Sequence, residues 1–165
     1  MEPQTAKQMK EALKGKQFKY GIDLGCGFGE YVKILKSHCE YLVGVDRTLE
    51  RVKLSGYNVY YDKLVIDDLR TYEIPAEADA VFWFDGPEHL DQGDSLYLLG
   101  MIGARYCMIS TPSKFYPHAF NGHVSLWSEK DFEKLGFKTV LYSCGYWRQL
   151  FYGMKILAVR EGSRL

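Results

Sequence analysis

The chain has 165 residues, 47% of them hydrophobic, which suits one compact domain over 1–165 with a real core and leaves no room for a second. Lys plus Arg and Asp plus Glu are each 21, so the formal net charge is zero. That lacks the basic excess of a protein that grips a phosphate backbone or an anionic bilayer, so nucleic acid is not favoured as partner and no membrane role is expected.

No apolar run approaches the roughly 18 residues that span a bilayer. Residues 1–16 are polar and carry no signal-peptide core. Cys26, Cys39, Cys107 and Cys144 are far apart with no C-x-x-C pair, which argues against both a disulfide framework and zinc. Free thiols in a cytoplasmic protein are the expectation.

In chain order, 5–14 place Ala6, Met9 and Leu13 on one helical stripe, ended by Gly15. Residues 19–24 read as a buried strand. Residues 29–38 read as a helix with Tyr31, Ile34 and Leu35 inward. A strand over 41–46 and a helix over 48–56, closed by Gly56, come next. Strands over 63–68 and 78–85 follow with no helix between them, only the stretch RTYEIPAEA. A helix over 93–103 leads to a strand over 106–110, closed by Thr111-Pro112. Ser128, with Asp131 three residues on, predicts a capped helix that stops at Gly136. Strands over 137–143 and 154–161 have no helix between them and can pair only as an antiparallel hairpin.

Near-continuous apolar strands alternating with helices predict an α/β fold: a doubly wound, seven-stranded, mostly parallel sheet with an antiparallel C-terminal hairpin and helices on both faces. Ligands of such sheets bind beyond the carboxyl ends of the strands, so chemistry is sought there.

The first strand ends in IDLGCGFGE, residues 22–30. The dinucleotide fingerprint G-x-G-x-x-G, counted from Gly25, wants its third glycine at position 30, where Glu30 stands; the glycine comes one residue early, at Gly29. A carboxylate there would repel a pyrophosphate. The second strand ends in Asp46, 21 residues after Gly25, where an acid can accept hydrogen bonds from ribose hydroxyls. The third ends in Asp67-Asp68-Leu69 and the fourth in Asp85-Gly86-Pro87-Glu88-His89. Acids at four consecutive strand ends suit a cationic, nucleoside-like ligand.

These segments, in this order from about 18 to 160, resemble the class I S-adenosylmethionine-dependent methyltransferases, a Rossmann-like family, in its small-molecule type. IDLGCGFGE is similar to their acid followed by G-x-G-x-G, VGVDRT to their second-strand acid, VIDDL to the adenine-side segment and FWFDGPEHL to the acid-x-x-E-H-L of strand four. The resemblance implies S-adenosyl-L-methionine as cofactor and S-adenosyl-L-homocysteine as product. It implies Asp23 and Asp85 on the methionine side and Gly25, Cys26, Gly27 and Gly29 as backbone beneath the ligand. Asp46, with Arg47 beside it, would take the ribose, and Asp68 and Leu69 the adenine. Gly86-Pro87 departs from the family's usual apolar pair.

Methyl transfer is an in-line displacement that needs alignment of the acceptor and needs a base only if the acceptor must lose a proton. Candidates on the acceptor side are Glu88, His89, His118 and His123, with the aromatic loop 111–127 as pocket wall. Plainer roles compete: Glu88-His89 can open a helix, His123 can anchor its loop, and Phe115, Tyr116 and Trp127 can be lid packing. No metal is expected, and a metal site of Glu88, His89 and His123 is the lesser alternative. The N-terminal helix is a candidate partial lid. The reading is a methyltransferase acting on an O or N of a small-molecule acceptor, with oligomeric state left open, a homodimer included. A catalytically silent S-adenosylmethionine-binding subunit and a NAD-binding oxidoreductase are the alternatives.

Overall fold

A computed structural model describes residues 3–113, 122–145 and 152–162. The order is α1 (Pro3–Leu13), β1 (Phe18–Leu24), α2 (Val32–Lys36), β2 (Cys39–Asp46), α3 (Glu50–Ser55), β3 (Lys63–Ile66), β4 (Ala80–Phe84), α4 (Gln92–Met101), β5 (Tyr106–Pro112), α5 (Glu129–Glu133), β6 (Lys138–Gly145) and β7 (Tyr152–Glu161). Single 3-10 turns at Tyr57–Tyr60 and Pro87–His89 add to these.

The seven strands form one sheet in the order β3-β2-β1-β4-β5-β7-β6. Neighbours from β3 to β5 pair in parallel; β7 is antiparallel to both β5 and β6, so it alone runs backwards. The doubly wound sheet and its antiparallel hairpin are as the sequence predicts. Adjacency of strands does not predict that β7 inserts between β5 and β6.

Alternation along the strands divides the core in two. Phe18, Phe82, Phe84 and Tyr106 pack with Met9 and Leu13 of α1, Leu35 of α2 and Val52 of α3 on one face. Ile22, Val81, Trp83 and Ile109 pack with Leu99 of α4 and Phe132 of α5 on the other. All five residues of β4 are buried, as a central strand covered on both faces requires. Trp127 is fully buried and stacks on Phe132 at 5.0 Å, so it is core and not lid.

Several boundaries differ from expectation. α2 begins at Val32, because Gly25, Gly27 and Gly29 all have positive φ (62°, 50° and 73°) and hold the chain in a turn. β5 runs on through Thr111 and Pro112, because β7 still pairs there, Ile156 with Thr111 and Lys155 with Pro112. Ser128 caps α5 as expected: its N–H and its hydroxyl both donate to Asp131 Oδ2, at 2.9 and 2.6 Å. α1 is not a lid. It packs on the sheet through Ala6, Met9 and Leu13, bonds Tyr142 Oη through Thr5 Oγ1 (3.0 Å), and none of its described residues lines the main cavity.

Candidate functional site

A cavity of about 800 Å³ opens at the carboxyl ends of β1, β2 and β4. Asp23, Asp46, Asp68 and Asp85 all line it, so four strand ends converge their acids on one space. Glu30, Asp91 and Asp94 add negative charge; Arg47, Arg51 and Arg70 offset part of it. Asp68 lines the cavity, whereas Asp67 turns back to accept the Asp68 N–H at 2.8 Å.

The three glycines of the first turn serve different ends. A Cβ at Gly27 would meet only the Gly25 carbonyl, at 3.8 Å, so that backbone faces open space. A Cβ at Gly25 would touch Leu69 and Trp83 at 3.7 Å. At Gly29 it would fall 3.0 Å from Tyr57 and 3.3 Å from Val52, and Gly29 does not line the cavity. Gly29 is therefore demanded by packing under α3 and the turn that follows it. Cys26 lines the cavity, its N–H donates to the Val45 carbonyl, and burial pushes its thiol far up.

Each acid has its own environment. Asp23 is buried, and desolvation pushes its pKa up to about 7; the hydroxyl of Tyr61, which donates to Oδ2 at 2.6 Å, works against this, and the charge of Asp46 adds to it. Asp46 accepts the Gly27 N–H on Oδ2 at 2.9 Å and the Thr48 N–H on Oδ1 at 3.1 Å, so it ties the glycine turn to β2. Asp68 is held well below the carboxylate range by hydrogen bonds from the Arg70 guanidinium, whose Nε donates at 2.9 Å. Asp85 takes both oxygens to Lys155 Nζ (2.8 and 2.9 Å) and accepts the Tyr31 hydroxyl at 3.1 Å. Its φ of +49° is left-handed, a conformation that costs a non-glycine residue about 1–3 kcal/mol and is retained where surroundings enforce it.

Beneath the cavity, Trp83 keeps its indole Nε1 buried with no hydrogen-bond partner among the described residues. A Cβ at Gly86 would fall 1.9 Å from that nitrogen, so Gly86 is the residue that lets the indole lie there. The Gly86-Pro87 departure thus has a packing cause.

On the acceptor side, Pro87–His89 forms a single 3-10 turn before α4. Glu88 is buried, its Oε2 accepts the Thr111 hydroxyl at 2.9 Å, and desolvation, then the charge of Asp85, push its pKa up to about 8. The Glu88 carbonyl accepts the Val124 N–H at 2.8 Å and the Ser125 N–H at 3.3 Å. That pin brings His123 against His89, ring centroids 5.0 Å apart. One ligand atom each of Glu88, His89 and His123 lies within 4.8 Å of the others, the grouping that the sequence reading held as a lesser alternative to no metal. His118, Phe115 and Tyr116 lie outside the described residues.

Sequence reasoning missed Tyr31, Tyr61, Trp83, Arg70 and Lys155. Only Lys155 carried a signal, as a lone charge inside the apolar run MKILAV. Tyr61 reaches Asp23 from 38 residues away, which no local pattern reveals.

The strand order, the lone reversed strand and the cavity at the strand ends define a Rossmann-like fold of the class I methyltransferase kind. No protein-family model matches the chain, and no curated protein matches it in sequence. Solved structures do match. The N-methyltransferase NodS from Bradyrhizobium japonicum WM9 superposes with a TM-score of 0.74 at 15% identity, covering 98% of this chain and 96% of that one. The methyltransferase domain of bacterial CtHen1 gives 0.67 at 22% identity, over 96% and 97%. The magnesium protoporphyrin IX methyltransferase ChlM of Synechocystis PCC 6803, solved with bound SAM, gives 0.64 at 16% identity, over 96% and 77%. At these identities the likeness is one of fold. No helix among the described residues is long and apolar enough to cross a membrane.

Proposed function

We propose that the protein is an S-adenosyl-L-methionine-dependent methyltransferase acting on an oxygen or nitrogen of a small-molecule acceptor. The observation that carries this is the convergence of Asp23, Asp46, Asp68 and Asp85 on one cavity whose floor is the open backbone of the Gly25–Gly27 turn. Solved structures of this fold hold SAM in ChlM and S-adenosyl-L-homocysteine in NodS.

The residues fit such a cofactor. Carboxylates around the space favour a sulfonium and an ammonium group over a diphosphate, and Glu30 on the cavity wall disfavours a dinucleotide further. The buried indole N–H of Trp83, which has no partner among the described residues, leaves one donor for an acceptor atom. When bound, the cofactor supplies an electrophilic methyl group. Asp46 and Arg47 would hold the ribose and Asp68 and Leu69 the adenine. Asp23 and Asp85 would face the methionine end, over backbone from Gly25, Cys26 and Gly27. Lys155 keeps Asp85 in place, and Tyr61 orients Asp23. His89, on the cavity wall, would take a proton from an acceptor, with Glu88 and His123 beside it. Three buried free cysteines, Cys26, Cys39 and Cys107, support a reducing, cytoplasmic setting.

Calorimetric titration with S-adenosylmethionine, S-adenosylhomocysteine and NAD side by side tests this. Binding of the first two without NAD is expected; NAD binding alone would overturn the reading.

A further inference from the structure

We propose that the indole N–H of Trp83 donates a hydrogen bond to a ring nitrogen of a bound purine, so that Trp83 helps decide which nucleoside ligands the cavity accepts. That the ligand carries a purine rests on the methyltransferase reading; that the indole N–H serves a ligand stands on geometry.

Trp83 lies in β4 and is fully buried, yet its Nε1 has no hydrogen-bond partner among the described residues. A buried donor left unpaired is destabilising, and native structures rarely keep one without a use. Packing does not require it. The indole belongs to the core cluster of Ile22, Val81, Leu99 and Ile109, where a phenyl or aliphatic side chain would bury apolar area without that cost.

The backbone around the nitrogen leaves it room. A Cβ at Gly86 would fall 1.9 Å from Nε1, so a glycine at 86 is what lets the ring lie there. A Cβ at Gly25 would stand 3.7 Å from Nε1 and 3.7 Å from Leu69 Cδ1, both ordinary contact distances. Glycine at 25 therefore leaves a methyl-sized gap that touches the indole nitrogen and Leu69 together. An acceptor atom must come about 0.7 Å nearer than that point to reach the usual hydrogen-bond length of about 3.0 Å. Leu69 is half-buried, and a change of rotamer turns its side chain aside to admit the ligand. Gly25, Leu69, Trp83 and Gly86 all line the cavity, so the gap belongs to the site.

The neighbours of the gap select the chemistry of the acceptor. An indole N–H only donates, so it calls for a lone pair. Leu69 calls for an apolar surface beside that lone pair. The edge of a flat purine offers both, since its ring nitrogens carry in-plane lone pairs between C–H groups. A carboxylate would want a cation instead. Arg70, the residue after Leu69, gives its guanidinium to Asp68, and Lys155 gives its ammonium to Asp85. A ring that presents C–H or N–H at this edge leaves the indole unpaired, and sites of that kind discriminate strongly.

The test is calorimetric titration of the full chain and of Trp83→Phe with four ligands: S-adenosylhomocysteine and its 1-deaza, 3-deaza and 7-deaza analogues, each of which replaces one ring nitrogen by C–H. Trp83→Phe should weaken S-adenosylhomocysteine by about tenfold or more. One analogue should bind the parent about as weakly, and should lose nothing further in Trp83→Phe, because analogue and variant remove the same bond. Unchanged affinity in the folded variant, or an equal loss with all four ligands, overturns the proposal. Far-UV circular dichroism checks that the variant folds. If it does not, proton–nitrogen correlation spectra of the parent decide. The Trp83 indole N–H resonance should move downfield with S-adenosylhomocysteine and with two analogues but not with the third; a resonance that stays put, or that moves alike with all four, overturns the proposal. If S-adenosylhomocysteine binds without these couplings, the Trp83 role fails and the methyltransferase reading stands. If S-adenosylhomocysteine does not bind, the methyltransferase reading fails and the purine contact fails with it.

Discussion

Asp46→Ala separates two jobs that the structure gives to one carboxylate. Oδ2 accepts the Gly27 N–H at 2.9 Å in a half-buried setting, and Oδ1 accepts the Thr48 N–H at 3.1 Å in an exposed one. Hydrogen bonds to charged groups contribute about 1.5–3 kcal/mol each when sheltered. Water replaces the Thr48 bond, so the loss of stability falls almost wholly on the Gly27 bond, at about 1–2 kcal/mol. A lost ribose partner adds a separate effect on ligand binding of about 1.5–3 kcal/mol, or roughly a 10- to 150-fold rise in Kd for S-adenosylhomocysteine. Asp46→Asn keeps one acceptor oxygen for Gly27, so it should lose about half as much stability while still binding weakly. Urea denaturation gives the first quantity and calorimetry the second. An unchanged Kd in Asp46→Ala would refute the ribose assignment. Unchanged stability would refute the anchoring of the turn.

Other substitutions test the surroundings. Gly86→Ala puts a Cβ where the Trp83 indole lies, 1.9 Å from Nε1, and should destabilise by about 1–3 kcal/mol, as overpacking does. A melting temperature equal to the parent's would contradict the indole placement. Lys155→Met removes the cation that holds Asp85 in its left-handed conformation. Lys155 is buried but Asp85 is partly open to the cavity, so the expected loss is about 2–4 kcal/mol, below the full value for a buried pair. A loss under about 0.5 kcal/mol would show the pair to be no better than a surface salt bridge. Asp23 has a raised folded-state pKa, about 7 against 3.8, so between about pH 4 and 7 the folded chain keeps a proton that the unfolded chain has released. Its contribution to stability is greatest below that window and falls as pH rises through it. Asp23→Asn should therefore flatten the pH dependence between about pH 4 and 7 by on the order of 3 kcal/mol. Equal slopes in both proteins, read from urea midpoints, would exclude a buried, protonated Asp23.

The sequence by itself determined which elements form and where chemistry gathers. Hydrophobic period and glycine stops are local properties, so the strands, the capped α5 and the hairpin of β6 and β7 could be read from residues a few positions apart. The acids at 23, 46, 68 and 85 were legible for the same reason: each lies at or just past the carboxyl end of a strand, and parallel strands bring those ends to one edge. Only the tertiary structure decided the rest. Strand order places β7 beside β5 and so delivers Lys155 to Asp85. Burial in the packed sheet raises the pKa of Asp23, and a hydroxyl 38 residues away donates to it and works against that rise. Gly29, which has the same spacing as its two neighbours, packs against the side chains of Tyr57 and Val52, whereas Gly27 faces open space. The meeting of His123 with Glu88 and His89 depends on backbone bonds between segments far apart in the chain. Backbone groups are alike at every position, so the sequence could group these three residues as candidates but could not show the bonds that bring them together.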